Sequence, residues 1–261
     1  MAESHVCSRL KHRGAPCHTR SAHRLIRKLE SIFTLSDEEM MVLVNLPMQV
    51  TDIRADQDIV REGDRPTRSC LLMEGFTCIS KVTGQGKRQI MGFQIAGDIP
   101  DLQSLHLTVL DTTLSTITPC KMGFIQHETL HDLCARYPRI AAALWRETLI
   151  DASIFREWIA NIGQRQAHSR IAHILCELVV RMRAVGLAQG HTCDLPITQG
   201  EFADATGMST VHVNRILQEL RGAGLITLNG KTLTVLDWEG LQEAGDFDPT
   251  YLHLKQVRAA A

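Results

Sequence analysis

TQGEFADATGMSTVHVNRILQEL, residues Thr198 to Leu220, decides the fold of this chain. It reads as two short helices joined by a tight turn. Ala203 is followed four positions on by Gly207 and six further on by Val213. A small residue at 203 lets the second helix cross the first closely, and Gly207 can take the positive φ of a sharp turn. Val213 and Ile216 are expected to face back onto Phe202 and Ala203. Ser209 is placed to cap the second helix. That helix then carries Thr210, Val211, Asn214 and Arg215 near its exposed N-terminal end, where a DNA-reading helix presents its side chains.

Any helical hairpin can place Ala and Gly this way, so the residues that follow matter. Leu225 to Leu228 is a strand-like run, Asn229-Gly230 is a strong hairpin turn, and Thr232 to Leu236 returns. Helix, turn, helix and β-hairpin together make a winged helix-turn-helix.

The chain has 261 residues, which suits two domains, and 44% of them are hydrophobic, which suffices for real cores. The net charge of −1 gives no general basic surface, so DNA affinity must come from a dimer or from well-placed contacts. No stretch is apolar enough to span a membrane, and the N-terminus has no apolar signal core. The eight cysteines are scattered and do not form the dense framework of a small secreted protein. A cytoplasmic location follows as the expectation.

Residues 1–28 are basic and rich in His and Cys. A mobile basic tail is one reading and a metal or iron–sulfur site another, but nine residues separate Cys7 from Cys17, without the close pair such sites use. Leu25 to Phe33 reads as helical and opens the folded part, with the roll domain bounded at residue 29. Ser36 and Glu39 form a capping box for a short helix ending at Pro47. Short strand candidates then run from Gln49 to Ile125, punctuated by Gly63-Asp64, Glu74-Gly75, Thr83-Gly84-Gln85-Gly86 and Gly97-Asp98. Even spacing of this kind predicts a β-barrel or jelly roll over 29–137.

His127-Glu-Thr-Leu-His131 on the closing helix fits the H-E-x-x-H pattern of zinc peptidases, with Glu128 beside two imidazoles one turn apart. The helix is short, ends by Pro138, and is followed by no distinctive third ligand. A zinc hydrolase is therefore the alternative to a non-enzymatic reading, and the expected metal site is none. Pro138 opens a long helix, 138–164. Ala141, Trp145, Thr148, Ala152, Phe155, Ile159 and Ile162 recur on it at alternating four- and three-residue steps. This heptad-like seam predicts contact with the same helix of a second subunit, against the alternative of burial within one chain. A further helix starts at His168, with Cys176 read as a packed thiol. Residues 165–237 are then the DNA-binding domain. In the C-terminal tail, 238–261, Asp237 is placed to cap a short helix.

The order of β-roll, seam helix and winged helix-turn-helix resembles the family of the cyclic-AMP receptor protein and the oxygen regulator FNR (Crp/Fnr). The likeness covers residues 30 to 238 and is strongest over Ile197 to Val235, in Ile-Thr-x-x-Glu-Phe-Ala, Gly-x-Ser, Val-x-Arg-Ile-Leu and Gly-Leu-Ile. The resemblance implies an α+β fold: a double-stranded β-helix of cyclic-nucleotide-binding type, a dimerisation helix and the winged domain. It implies a homodimeric regulator reading a pseudo-palindromic site in double-stranded DNA, with RNA polymerase a partner if it activates. Arg215 matches the arginine suited to a guanine edge. Thr198 and Ser209 match phosphate-touching positions, joined by Gln199, His212 and Lys231. Val211 stands where many members carry a glutamate that reads cytosine, so the half-site is expected to differ. Asp111 falls near the arginine that would hold a cyclic phosphate and would repel it. The cysteine spacing is wrong for the oxygen regulator's cluster. The cofactor and the effector stay unassigned.

Overall fold

The computed structural model describes residues 17–255, with side-chain surroundings from Arg24 onward. In chain order it begins with α1 (Cys17–Ile32), α2 (Asp37–Val44), β1 (Gln49–Ile53), β2 (Asp58–Val60), β3 (Arg68–Glu74), β4 (Phe76–Val82) and β5 (Arg88–Ile95). A 3-10 turn (Leu102–Leu105), β6 (Thr113–Thr116), β7 (Cys120–Gln126), α3 (His127–Arg136), α4 (Pro138–Gln164) and α5 (Ala167–Ala184) follow. The chain then forms β8 (Ala188–Gln189), β9 (Thr192–Asp194), α6 (Gln199–Thr206), α7 (Thr210–Gly222), β10 (Ile226–Asn229), β11 (Thr232–Val235) and α8 (Trp238–Gly245).

The roll is two facing sheets, ordered β1-β7-β3 and β2-β6-β4-β5, with every pairing antiparallel. β3 shows why its sequence does not alternate. Cys70 and Leu72 enter a core inside the roll with Val60, Ile79 and Met122. Leu71 and Met73 face the other way, into a core shared with the helices. A strand covered on both faces reads as a continuous apolar run. α2 carries the expected capping box, with Ser36 accepting from Glu39 N and Glu39 accepting from Ser36 N.

α4 runs from Pro138, whose missing N–H suits a first turn. Its buried stripe is Ile140, Leu144, Ile150, Ile154 and Trp158. α5 is covered nearly all round: Ile171, Ile174, Leu175, Cys176, Leu178 and Val179 are fully buried. Each such side chain contributes roughly 1.5–3 kcal/mol. Cys176 is the packed thiol expected, and burial pushes it up to about 12.

The boundary of the N-terminal tail at residue 28 needs correction. The helix expected from Leu25 begins already at Cys17, and Leu25, Ile26 and Leu29 are buried in the shared core. Residues 24–28 therefore belong to the body. Cys7 and the histidines up to His23 lie outside the residues whose side chains are described. At the other end α8 packs on α5. A Cβ on Gly245 would lie 2.7 Å from His173 N, so only glycine permits the approach. Phe247 and Leu252 are buried beyond it, and Lys255 N donates to Ser31 O at 2.7 Å. The stretch 238–255 is thus a docked element. The stretch Gly186 to Asp194 supplies β8 and β9, which extend the wing into the sheet β10-β11-β9-β8.

Candidate nucleic-acid interface

α6 starts on a capping box. Thr198 Oγ1 accepts from Glu201 N at 3.2 Å, and Glu201 Oε2 accepts from Thr198 N at 2.5 Å. It stops at Gly207, whose φ of 68° lies in the left-handed region. Ser209 Oγ accepts from His212 N at 3.3 Å and opens α7. Val213, Ile216, Leu217 and Leu220 are buried beside Phe202 and Ala203 in the shared core, as the spacing predicts. With that stripe inward, the opposite face is free. Thr210, Val211 and Arg215 are exposed and Asn214 is half-buried. Val211 is 79% exposed, the most of any large hydrophobic side chain described.

Arg215 Nε lies 3.5 Å from Glu219 Oε1 on the surface of α7. An exposed pair of this kind is weak and yields readily to a better partner. Thr198, Gln199, Ser209 and Lys231 are exposed, and His212 is half-buried. Gln218, also exposed, follows Val211 by seven positions and Asn214 by four, so it extends the outward stripe by one turn. That helical spacing was readable in the sequence and went unused there.

The DNA-binding domain is held against the roll. Arg88 Nε on β5 donates to Asp204 Oδ2 on α6 at 2.8 Å, and Gln89 Nε2 donates to Ala205 O at 3.2 Å. Phe93 and Phe202 meet edge to face at 6.1 Å. Thr198 and Thr210 border a crevice whose far wall includes Asp56 and Arg88 of the roll.

A buried set of charges sits deeper in the same junction. Lys28 of α1 pairs with Asp98 of the roll and Glu147 of α4. Arg181 of α5 reaches Asp98 Oδ2 at 3.0 Å and Glu177 Oε1 at 3.1 Å. Trp158 Nε1 donates to Glu177 Oε2 at 3.0 Å, and the Tyr251 hydroxyl donates to the same oxygen at 2.9 Å. Burial works to raise the Asp98 carboxyl, but Lys28 and Arg181 together hold it below its usual range. None of these partners is near another in sequence, except the i,i+4 pair Glu177–Arg181, so sequence spacing gave no sign of the set.

A cavity of about 390 Å³ lies between roll and long helix. Ile79, Met91 and Leu102 line it from the roll, and Phe155, Trp158 and Ile159 from α4. Lys81, Asp111 and Asp151 add charge to its wall.

The H-E-x-x-H pattern does not assemble a metal centre. His127 Nε2 is 3.0 Å from Ser104 Oγ, whereas the ring of His131 packs edge-on to His106 at 5.9 Å. Among the described residues, no group of three or more His, Cys, Asp or Glu side chains is arranged to hold a metal ion.

The match to known proteins follows this architecture. Residues 50–137 match the model of the cyclic nucleotide-binding domain, and 169–244 match that of the Crp-like helix-turn-helix domain. The chain belongs to the Crp/Fnr family. It is a DNA-binding transcription regulator of that type. It is 25% identical over 247 residues to the transcriptional activator protein FnrL of Cereibacter sphaeroides, covering 93% of this chain and 96% of that one. The fumarate and nitrate reduction regulatory protein of Salmonella typhi is 24% identical over 242 residues, covering 92% and 94%. Among solved structures, FixK2 from Bradyrhizobium japonicum superposes with a TM-score of 0.70 at 20% identity, over 76% of this chain and 98% of that one. Among the described residues, no helix of this Crp/Fnr member is long and apolar enough to cross a membrane.

Proposed function

We propose that this Crp/Fnr member is a cytoplasmic homodimer that reads a pseudo-palindromic DNA site through α7. The carrying observation is the division of α7 into a buried stripe and an outward stripe of Thr210, Val211, Asn214 and Arg215. Arg215 gives a bidentate pair to a guanine edge, and Val211 meets a thymine methyl. Thr198, Gln199, Ser209, His212 and Lys231 hold the phosphates. Thr198 and Ser209 use their oxygens as acceptors in the caps, which leaves each hydroxyl hydrogen to donate to a phosphate.

The dimer reading rests on the seam of α4. No member of Ala141, Trp145, Thr148, Ala152, Phe155, Ile159 and Ile162 is buried in the single chain, and Trp145 and Ile159 are each 71% exposed. Leu149 extends the apolar surface beside them. A helix with one apolar face inside and a second one in water calls for a second copy. The chain acts as a regulator rather than an enzyme. Its likeness to a protein named as a transcriptional activator supports RNA polymerase as a partner. The 29–137 roll receives the signal, 138–164 carries the dimer contact and 165–237 binds DNA. Cyclic AMP is not the expected signal, because Asp111 and Asp151 in the cavity wall oppose a cyclic phosphate.

Selection from random duplex DNA, followed by gel-shift titration of the recovered site, tests the reading. A two-fold-symmetric motif and protein-dimer stoichiometry are expected. Recovery of no preferred sequence would overturn it.

A further inference from the structure

The buried charges at the junction do not balance. Lys28 and Arg181 supply two positive groups, against four carboxylates on Asp98, Glu147, Asp151 and Glu177. Glu147 Oε2 is buried with no hydrogen-bond partner. Asp151, one helical turn beyond Glu147, makes no ion pair among the described residues and forms part of the cavity wall. Asp111 joins that wall from the roll. The cation in the wall, Lys81, lies on the exposed side, with Nζ 3.2 Å from Glu62 Oε1 and donating to the backbone carbonyl of Asp111 at 3.1 Å. Asp151, half-buried, thus faces an apolar chamber without an ion-pair partner, while Asp111, in the same wall, is exposed.

We propose that this cavity binds a small apolar molecule carrying one cationic nitrogen, with its apolar body between Met91, Leu102 and Phe155 and its charge at Asp151 and Asp111. This deepens the reading of the roll as the signal-receiving part of the regulator and rests on it. The volume of about 390 Å³ is within the range of small-molecule sites. A cation at Asp151 supplies the charge that the junction lacks. Asp151 is faced by Glu147 on its own helix, by Lys28 from α1, by Asp98 from the roll and by Arg181 from α5. Through Lys28 and Arg181 it is therefore adjacent to the groups that fasten the roll to α5. Without a ligand, burial and the neighbouring Glu147 push the Asp151 carboxyl up to about 7, so a proton fills the deficit. The ligand's charge displaces that proton. The seam residues Thr148, Ala152 and Ile162 form part of the same wall, and the second copy of the dimer closes over them.

Calorimetric titration of the full chain with three matched probes tests this. Phenethylammonium is the cation, phenethyl alcohol the neutral isostere and phenylacetate the anion. The cation should bind at least about tenfold more tightly than either isostere, a difference of roughly 1.4 kcal/mol. Its affinity should rise about tenfold between about pH 6 and about pH 8, as Asp151 gives up its proton. Asp151→Asn should abolish both the preference and the pH dependence, and Asp111→Asn should weaken the preference alone. Equal binding of the three probes, no binding of any, or an unchanged preference in both variants would overturn the inference. DNA-site selection without any probe is scored separately. If it succeeds while the cation fails to bind, only the ligand class is wrong, whereas failed site selection removes the underlying reading.

Discussion

Arg181 Nη2 lies 3.0 Å from Asp98 Oδ2, joining the first helix of the DNA-binding domain to the Gly-Asp turn that closes β5 of the roll. Asp98 is simultaneously held by Lys28 and accepts from Ile95 N at 2.8 Å. One carboxylate thus ties α1, the roll and α5 together. The roll and the helix-turn-helix region of this Crp/Fnr member are fastened through it.

Removing Asp98 leaves two buried cations without their shared anion. Asp98→Ala should cost about 3–5 kcal/mol, which lowers the melting temperature by roughly 10 °C in a chain of this size. Thermal unfolding followed by circular dichroism measures it. A melting temperature within about 2 °C of the parent would show that the pairings carry no net stability.

Asp151 makes stability depend on pH in a definite direction. An aspartate in the unfolded chain titrates near about 3.9, whereas burial and Glu147 push Asp151 up to about 7 in the folded one. Between those values the native state holds a proton that the unfolded state has lost. The contribution of this group to stability therefore falls as pH rises through the window. Asp151→Asn stays neutral throughout, so its unfolding free energy should decline less from about pH 4 to about pH 7 and exceed the parent's at about pH 8 by the order of 4 kcal/mol. Parallel pH profiles for parent and variant would contradict the assignment.

Trp145 and Ile159 should anchor the dimer. Trp145→Glu combined with Ile159→Glu places four carboxylates in a paired interface and should give a monomer by light scattering, with the far-ultraviolet spectrum retained because neither side chain is buried in the single chain. DNA affinity should fall at least about a hundredfold, since half the phosphate and base contacts leave the complex. A variant that remains dimeric would move the interface elsewhere.

Arg215→Ala should cost about 1–3 kcal/mol on the selected site and relax base preference at one position in each half-site. Val211→Glu should shift preference toward cytosine at the neighbouring position, because a carboxylate accepts from its amino group. Gel-shift competition with single-base variants of the site reads both. Unaltered base preference in both variants would mean that α7 does not read the bases as proposed.

The hairpin of α6 and α7 was legible because its rules are local. A glycine makes the left-handed stop and a serine two positions on opens the next helix. Asn229-Gly230 fixed the wing for the same reason. α4 was legible too, since Pro138 starts it and apolar residues recur along it at heptad spacing. The tails were legible only in part. Leu25 to Phe33 reads as helical, but the burial of Leu25, Ile26 and Leu29 depends on surfaces offered by the roll and α5 far along the chain. The docking of α8 depends on Gly245 meeting His173, a contact between residues 72 apart.

The sequence by itself therefore determined the order of elements, the Crp/Fnr architecture and the face of α7 turned outward, because these follow from caps, turns and apolar periodicity along a few successive residues. Only the tertiary structure decided that Lys28, Asp98, Glu147, Asp151, Glu177 and Arg181 share one buried junction, and that Asp151 borders an apolar cavity. Charge pairing in a low-dielectric interior depends on distance in space. Four separate segments of the chain had to fold before those six side chains could meet.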